Sequence, residues 1–237
     1  MALGVLLPVF GLCAQKPLEI AAPHISSLLE YDQSGIYQRI LSRALARIDE
    51  EVTQEVFPYK RGLRAFEQHQ VDCVYAFNDV ITERMGPRRV ITSYPLGAYR
   101  FYIFTRKDSP VLTSPEQLRG LRVGGVIGQE DFFRKVVGPD LNLTLVSRDE
   151  QIVQLLNYGR VDALIGALPD LSPYRDQLNY SPTNPIYTGY DRITCYNTPR
   201  NRQFVNALSR VLTELKKEGV YKQEAGALFV DFDIASN

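Results

Sequence analysis

Apolar residues in this 237-residue chain alternate between strand-like and helix-like spacing along nearly its whole length. Leu18 to Ala22, Val52 to Phe57 and Cys73 to Phe77 are short, largely apolar runs, which is typical of buried strands. Between the first two, the apolar residues of Ile36 to Ile48 fall on one helical face, and Ser34 is placed to cap that helix. Strands that alternate with helices pair in parallel, so the sequence predicts an α/β fold.

The same alternation continues through the rest of the chain. Further strands are predicted at Tyr99 to Thr105, Leu121 to Ile127 and Val161 to Ile165. Further helices are predicted at Leu63 to Gln70, Glu150 to Tyr158 and Phe204 to Leu215, with a short capped turn at Ser114 to Gln117.

A helix that leads into a strand through a Val-Asp pair occurs twice, about ninety residues apart. The pairs are Val71-Asp72 and Val161-Asp162, and each follows a helix with apolar residues nine and six places before the Asp. Two similar α-β units indicate two lobes of similar plan, with chance similarity as the alternative. Because ligands bind at the carboxyl ends of parallel strands, two such lobes would share one cleft.

Charge and composition exclude several classes of function. The chain has 27 basic and 27 acidic residues and no block of like charge, whereas nucleic acids and anionic membranes need a concentrated basic field. Two His residues exclude a His-rich metal cage or active site, and no phosphate-binding loop or dinucleotide fingerprint is present. No cofactor or metal is therefore predicted, and no catalytic residue is assigned.

Residues 1–15 have the pattern of an export signal. Ala2 to Ala14 is an apolar run too short to span a bilayer, and the polar stretch from Gln15 follows it at once. A buried N-terminal strand is the alternative, and Leu12 disfavours a lipid anchor on Cys13. We expect removal of the signal and a periplasmic location. The remaining Cys73 and Cys195 lie in strand-like segments, where buried free thiols are expected rather than a disulfide.

A family resemblance rests on three groups of segments. These are Val71-Asp72 with Thr82-Glu83-Arg84 and Thr92-Ser93-Tyr94-Pro95; Tyr102 to Lys107 with Ser114 to Gly128; and Tyr187 to Tyr196 with Phe204 to Gly219. In this order the sequence resembles the solute-binding proteins of ABC importers, of the polar-amino-acid type called family 3.

The resemblance implies the two-lobed type II periplasmic-binding-protein fold. Each lobe would be a mostly parallel sheet flanked by helices, and two crossover strands would form the hinge. The first lobe would comprise residues 16–102 and 187–237, and the second lobe residues 103–186.

The resemblance also assigns ligand-binding residues in the first lobe. Arg84 falls on the position that grips a ligand carboxylate, for which a guanidinium offers a bidentate fork of donors; a surface Arg is the alternative. Tyr59 falls on the aromatic clamp position, or is a core tyrosine. Phe77, Asn78 and Asp79 follow a strand end and are expected to line the cleft. His24 follows the first strand and is either a ligand contact or a solvated loop residue.

The second lobe departs from the family pattern. Gly128 and Gln129 match a Gly followed by a small hydroxyl residue, and Glu130 stands where a Thr commonly contacts the carboxylate. Backbone amides there could bind an anion, which Glu130 and Asp131 would oppose. Ala167 replaces the family's acid for the ligand amino group. Either Asp79, Glu130 or Asp131 supplies that charge, or the ligand is not a standard amino acid.

These inferences predict a non-enzymatic, extracytoplasmic protein. It would capture a small polar, carboxylate-bearing ligand, an amino acid or related organic acid, as a monomer that delivers it to an ABC permease. Three alternatives stay open: a ligand-sensing module for a separate signalling partner, a dehydratase-like enzyme with Glu130 or Asp131 as general acid, and a degenerate module without a ligand.

Overall fold

The structure is a computed structural model that describes residues 16–233. The side chains of residues 76–80 and of Asp131 lie outside this description. The predicted signal peptide, residues 1–15, lies outside the described residues. Within the described residues, no helix combines the length and apolarity needed to cross a bilayer.

The sheet contains ten strands among the described residues. They are β1 (Leu18–Pro23), β2 (Val52–Phe57), β3 (Cys73–Phe77), β4 (Val90–Thr92), β5 (Gly97–Arg106), β6 (Arg122–Val126), β7 (Asn142–Val146), β8 (Ala163–Leu168), β9 (Leu178–Asn179) and β10 (Tyr187–Tyr196).

Seven α-helices and three short 3-10 helices flank these strands in the described part of the chain. The α-helices are α1 (Ile36–Leu45), α2 (Tyr59–Glu67), α3 (Asn78–Met85), α4 (Glu130–Val137), α5 (Asp149–Asn157), α6 (Pro199–Lys217) and α7 (Val220–Ala225). The 3-10 helices are Pro115–Leu118, Ser172–Gln177 and Gly226–Leu228.

The strand order is β2-β1-β3-β10-β5-β8-β6-β7, with β4 and β9 paired at the sides of β10 and β5. Strands β2-β1-β3 are parallel, and so are β8-β6-β7. The long strands β10 and β5 run antiparallel to each other and to these two sets. We call the part around β1–β3 the first lobe and the part around β6–β8 the second lobe.

The two long strands join the parallel sets into one continuously hydrogen-bonded, curled sheet. This is the two-lobed α/β architecture predicted from the sequence, with β5 and β10 in the place of the hinge. The lobe boundaries at residues 102 and 187 stay a prediction, because β5 (Gly97–Arg106) and β10 (Tyr187–Tyr196) extend through both parts.

Each lobe buries apolar residues on both faces of its strands. In β1, Leu18 and Ile20 pack under α1, α6 and α7, while Ala21 faces the cluster that includes Phe66 of α2. In the second lobe, the odd-numbered residues of β5 face α4 and the even-numbered residues face α5. This alternation follows from the two-residue period of a strand, and it fixes the strand ends that position the site.

Two local predictions are wrong. Helix α1 begins after Gly35, because the Gln38 side chain accepts from the Gly35 backbone amide at 3.0 Å while the Ser34 hydroxyl donates to Asp32. Helix α2 begins at Tyr59, four residues before the predicted start at Leu63.

The prediction of free thiols is also wrong. Cys73 of β3 lies directly opposite Cys195 of β10, with Cα atoms 4.0 Å apart, and the two form a disulfide. The two cysteines are 122 residues apart in the sequence, so no local pattern indicates that β3 and β10 are neighbours.

Candidate functional site

The candidate site is a cleft at the carboxyl ends of five parallel strands, β1 and β2 from the first lobe and β6, β7 and β8 from the second. Its volume is about 270 Å³. It is lined by His24, Ile25, Ser26, Tyr59, Val126, Ile127, Gln129, Ser147, Arg148, Asp149, Glu150, Asp170, Pro173 and Tyr174.

Two wider depressions, of about 530 and 680 Å³, lie on the first lobe. Both are open surface grooves, and neither contains a residue of the second lobe. We assign the site to the smaller cleft, because parallel sheets place ligands at the carboxyl ends of their strands.

Gly128 of the second lobe lies against the start of α2 in the first lobe. A β-carbon at Gly128 would lie 3.4 Å from Cδ1 of Tyr59 and 3.3 Å from Cε of Lys60, and its φ of +107° is unfavourable for other residues. Tyr59, the first residue of α2, lines the cleft, and its pKa is raised by burial. The predicted residues Tyr59 and Gly128 are thus brought together from opposite lobes.

Ion pairs connect the lobes next to this contact. Lys60 of α2 contacts Glu130 of α4 at 3.2 Å, and Lys135 of α4 contacts Glu83 of α3 at 2.6 Å. The Gly128 backbone amide also donates to the Glu130 carboxylate. Glu130 begins α4 and already has these partners, whereas its neighbour Gln129 lines the cleft.

Arg84 lies on α3 and does not line the described cleft. Its Nη1 is 3.1 Å from Glu67 Oε1, and its side chain is 44% exposed. Its charge lowers the pKa of Tyr59, opposing the larger effect of burial, so the guanidinium is within electrostatic reach of the clamp position. The carboxylate-binding role of Arg84 stays a prediction. Phe77, Asn78 and Asp79 lie at the junction of β3 and α3, and their side chains lie outside the described part.

His24 lines the cleft just after β1 and interacts within its own lobe. Its Nε2 lies 3.1 Å from Glu30 Oε2, and its ring stacks on Tyr31 with centroids 4.7 Å apart. The imidazole is therefore held in place by a carboxylate and an aromatic face at the rim.

Sequence reasoning missed most of the second-lobe wall. Arg148 and Asp149 follow β7, and Asp170 and Tyr174 follow β8. Strand β7 was absent from the predicted elements, so the chain after it was not recognised as a strand end. Its short stretch Asn142–Val146 alternates polar and apolar residues and could have been found by its period of two.

Burial raises the pKa of Asp149 and raises that of Asp170 well above its usual range. The charges of Asp149 and Asp191 raise the pKa of Asp170 further. Asp170 keeps some surface open to the cleft, while its carboxyl group is deep enough for desolvation to dominate. Ala167, where the family pattern has an acid, is buried opposite Phe101 in the second-lobe core.

Asp191 lies on β10, behind the cleft. It is 4% exposed and accepts a hydrogen bond of 2.8 Å from the Tyr37 hydroxyl. Burial raises its pKa to about 7, and the bond from Tyr37 opposes this rise. The cleft and the sheet behind it thus hold three neighbouring carboxyl groups in a region of low solvation.

Comparisons with known proteins identify the fold. No protein-family model matches the chain, and no curated protein matches it significantly. The GluR0 ligand-binding core from Nostoc punctiforme in complex with L-glutamate superposes with a TM-score of 0.71 at 17% identity, covering 90% of this chain and 99% of that one.

Two further solved structures have the same architecture. The substrate-binding protein of an amino acid ABC transporter has a TM-score of 0.66 at 16% identity, over 90% of this chain and 99% of that one. A histidine kinase sensor domain with similarity to periplasmic binding proteins has a TM-score of 0.67 at 16% identity, over 90% and 96%. The chain therefore has the two-lobed fold of the type II periplasmic binding proteins, as the resemblance in its sequence predicted.

Proposed function

We propose that this protein is an extracytoplasmic solute-binding protein that captures one small polar ligand between its lobes. The observation that carries the proposal is the cleft itself, because polar and aromatic residues of both lobes converge there at strand ends. Such a site encloses a ligand only when both lobes contact it. Ligand binding is therefore coupled to lobe closure, which is what a capture-and-release protein needs.

The arrangement of β5 and β10 supports such a closing motion. These two strands connect the lobes, and ion pairs between Lys60 and Glu130 and between Lys135 and Glu83 span the gap between α2, α3 and α4. All four side chains are substantially exposed or rim-placed, so each pair contributes little on its own. Because these contacts are weak, ligand binding can shift the equilibrium between the open and closed states.

The cellular role we propose is delivery to an ABC permease by a monomeric protein in the periplasm. The Cys73–Cys195 disulfide supports an oxidising compartment, where such bonds persist. The similar ABC-transporter substrate-binding protein supports the transport role. The similar sensor domain of a histidine kinase supports the second candidate, a sensing module that acts through a separate partner.

A third candidate is an acid-base enzyme on the same scaffold, favoured by one observation. Asp170 combines access to the cleft with a pKa well above its usual range, which is the property of a general acid. Binding and catalysis differ in the fate of the ligand, which leaves a binding protein chemically unchanged.

Mass spectrometry of the protein purified under native conditions from its own host tests the proposal. We expect one small polar compound that dissociates on unfolding, rebinds, raises the melting temperature and is recovered unchanged. Gly128→Ala should weaken rebinding, because the added β-carbon meets Tyr59 and Lys60. Gly138→Ala is the matched control, since Gly138 also has a positive φ (+132°) but no atom within 4 Å of that β-carbon.

Two results would contradict the proposal. The first is a protein that retains no small molecule and shows no shift in melting temperature with any polar solute. The second is equal weakening by both glycine variants, because backbone strain alone would then explain the effect. Conversion of the recovered compound during incubation would favour the enzyme.

A further inference from the structure

We propose that Asp149 and Asp170 form a subsite for a cationic nitrogen group, so that the captured ligand carries a net positive charge. This inference rests on the proposed function, since it names the class of solute that the same cleft binds. It differs from the expectation drawn from the sequence, which placed a carboxylate-gripping Arg84 at the centre of the site.

The charges that line the cleft support a cationic ligand. Three residues with carboxyl groups, Asp149, Glu150 and Asp170, line the cleft together with one guanidinium, that of Arg148. Three negative groups and one positive group leave an excess of two carboxylates when all are ionised. Arg148 is exposed and can accept a ligand carboxylate at the mouth. The remaining excess is complemented by a ligand whose cationic groups outnumber its anionic ones.

Asp149 and Asp170 lack a partner among the described side chains. Neither carboxylate takes part in an ion pair or a hydrogen bond with another described side chain, in contrast to Glu130, which is held by Lys60. Partly desolvated carboxylates without a counter-charge are costly, and proteins pair such groups. Arg148 lines the same cleft but forms no ion pair with either carboxylate, so among the described groups a ligand is the remaining source of a counter-charge.

Electrostatics within the wall agree with this assignment. Burial is the main cause of the raised pKa of Asp170 and of Tyr174. The Asp149 charge raises the pKa of Asp170 further, and Glu150 and Asp149 raise that of Tyr174, which Arg148 lowers. The negative potential is therefore concentrated at the end of the cleft formed by β7 and β8. A cation bound there would offset the repulsion between the carboxylates and allow Asp170 to release its proton.

The aromatic walls fit an organic cation. Tyr59 from the first lobe and Tyr174 from the second both line the cleft, and aromatic faces attract ammonium and guanidinium groups. Among the described residues, no group of three or more His, Cys, Asp or Glu side chains is arranged to hold a metal ion. A nitrogen cation therefore fits this wall better than a divalent metal.

Four probes of defined charge test the subsite on the full mature chain. L-arginine and putrescine carry a net positive charge, whereas L-glutamate and succinate carry a net negative charge. We expect the first two to raise the melting temperature and to bind measurably by titration calorimetry, and the last two to do neither.

Asp170→Asn then tests the named residue. Losing one charge-assisted contact should weaken L-arginine binding about thirtyfold. The matched control is Asp176→Asn, which removes the same charge from an exposed residue of the 3-10 helix Ser172–Gln177 outside the cleft lining and should weaken binding less than about threefold. The melting temperature of ligand-free Asp170→Asn should not fall, because the change neutralises a buried carboxyl whose pKa is raised. A weaker affinity of this variant for L-arginine would then reflect the loss of the subsite and not misfolding.

Each remaining outcome overturns the subsite. One is stabilisation by glutamate or succinate that equals the stabilisation by arginine, and the other is an Asp170→Asn variant that binds arginine as tightly as the original protein does. Either result would remove the subsite and leave the proposed function intact, because a small solute would still bind. If none of the four probes binds, the subsite is overturned as well. The proposed function is then tested separately, by the compound recovered from the native protein.

Discussion

Asp191, in the sheet behind the cleft, allows a quantitative test of how a buried carboxyl changes the free energy of unfolding with pH. Its carboxyl is 4% exposed, and burial raises its pKa from 3.8 to about 7. Asp191→Asn keeps an acceptor oxygen for the Tyr37 hydroxyl, which now donates to Asp191 at 2.8 Å. The substitution therefore removes the charge while retaining the shape and the hydrogen bond.

The sign follows from proton linkage. A carboxyl whose pKa is higher in the folded state binds more protons there, so it destabilises the fold progressively as pH rises from about 4 to about 7. The full cost above pH 7 is about 4 kcal/mol, from a shift of roughly three pH units at 1.36 kcal/mol each. Asp191→Asn should therefore add little to the free energy of unfolding at pH 4 and up to about 4 kcal/mol at pH 8.

Urea denaturation of both proteins at pH 4, 6 and 8 measures this difference. Asp162→Asn is a control of opposite sign, because Arg122 holds the pKa of Asp162 at about 2. Asp162 stabilises the fold above the pKa of the unfolded chain, and this contribution is lost as pH falls toward 2. A benefit of Asp191→Asn that is equal at pH 4 and pH 8 would refute the reasoning.

Three further predictions follow from single contacts. Replacing Cys73 and Cys195 together by Ala should lower the free energy of unfolding by about 3 to 5 kcal/mol, since the bond closes a loop of 122 residues; an unchanged urea midpoint would contradict this. Lys60→Ala should weaken ligand binding up to about fivefold at low salt and less at high salt, because its pair with Glu130 is exposed; an equal loss at both salts would contradict an ionic role. Tyr59→Ala should weaken binding by about tenfold, whereas Tyr59→Phe should retain it, as measured by calorimetry; equal losses would assign the effect to the hydroxyl.

The sequence predicted the architecture because its main elements are encoded locally. The apolar residues of α1 and α6 recur with the period of a helix, and the apolar run of β3 has the length of a buried strand. The capping box of Ser114 and Gln117 was predicted correctly for the same reason. The disulfide was missed because the pairing of β3 with β10 is a tertiary contact that local pattern does not contain.

The site was harder to predict than the fold. Tyr59, Gly128, Gln129 and His24 lie at or beside the cleft because each follows a strand that the pattern identified. Glu130 lies there too, but Lys60, which is distant in the sequence, occupies its carboxylate.

The acidic wall was missed for a different reason. The family pattern places the ligand-binding acid at the position of Ala167, which is buried in the second-lobe core. The structure places an acid three residues later, at Asp170, beyond the end of β8. A fixed spacing from the strand could not show that the chain turns into the cleft only after Pro169.

Hydrogen–deuterium exchange with and without the compound recovered from the native protein tests the central claim most directly. If the ligand lies between the lobes, protection should rise in both walls together, at residues 24–26 in the first lobe and at residues 126–129, 147–150 and 170–174 in the second. Protection confined to one lobe, or located at the surface groove formed by residues 69–72 and 196–201, would contradict ligand capture in this cleft.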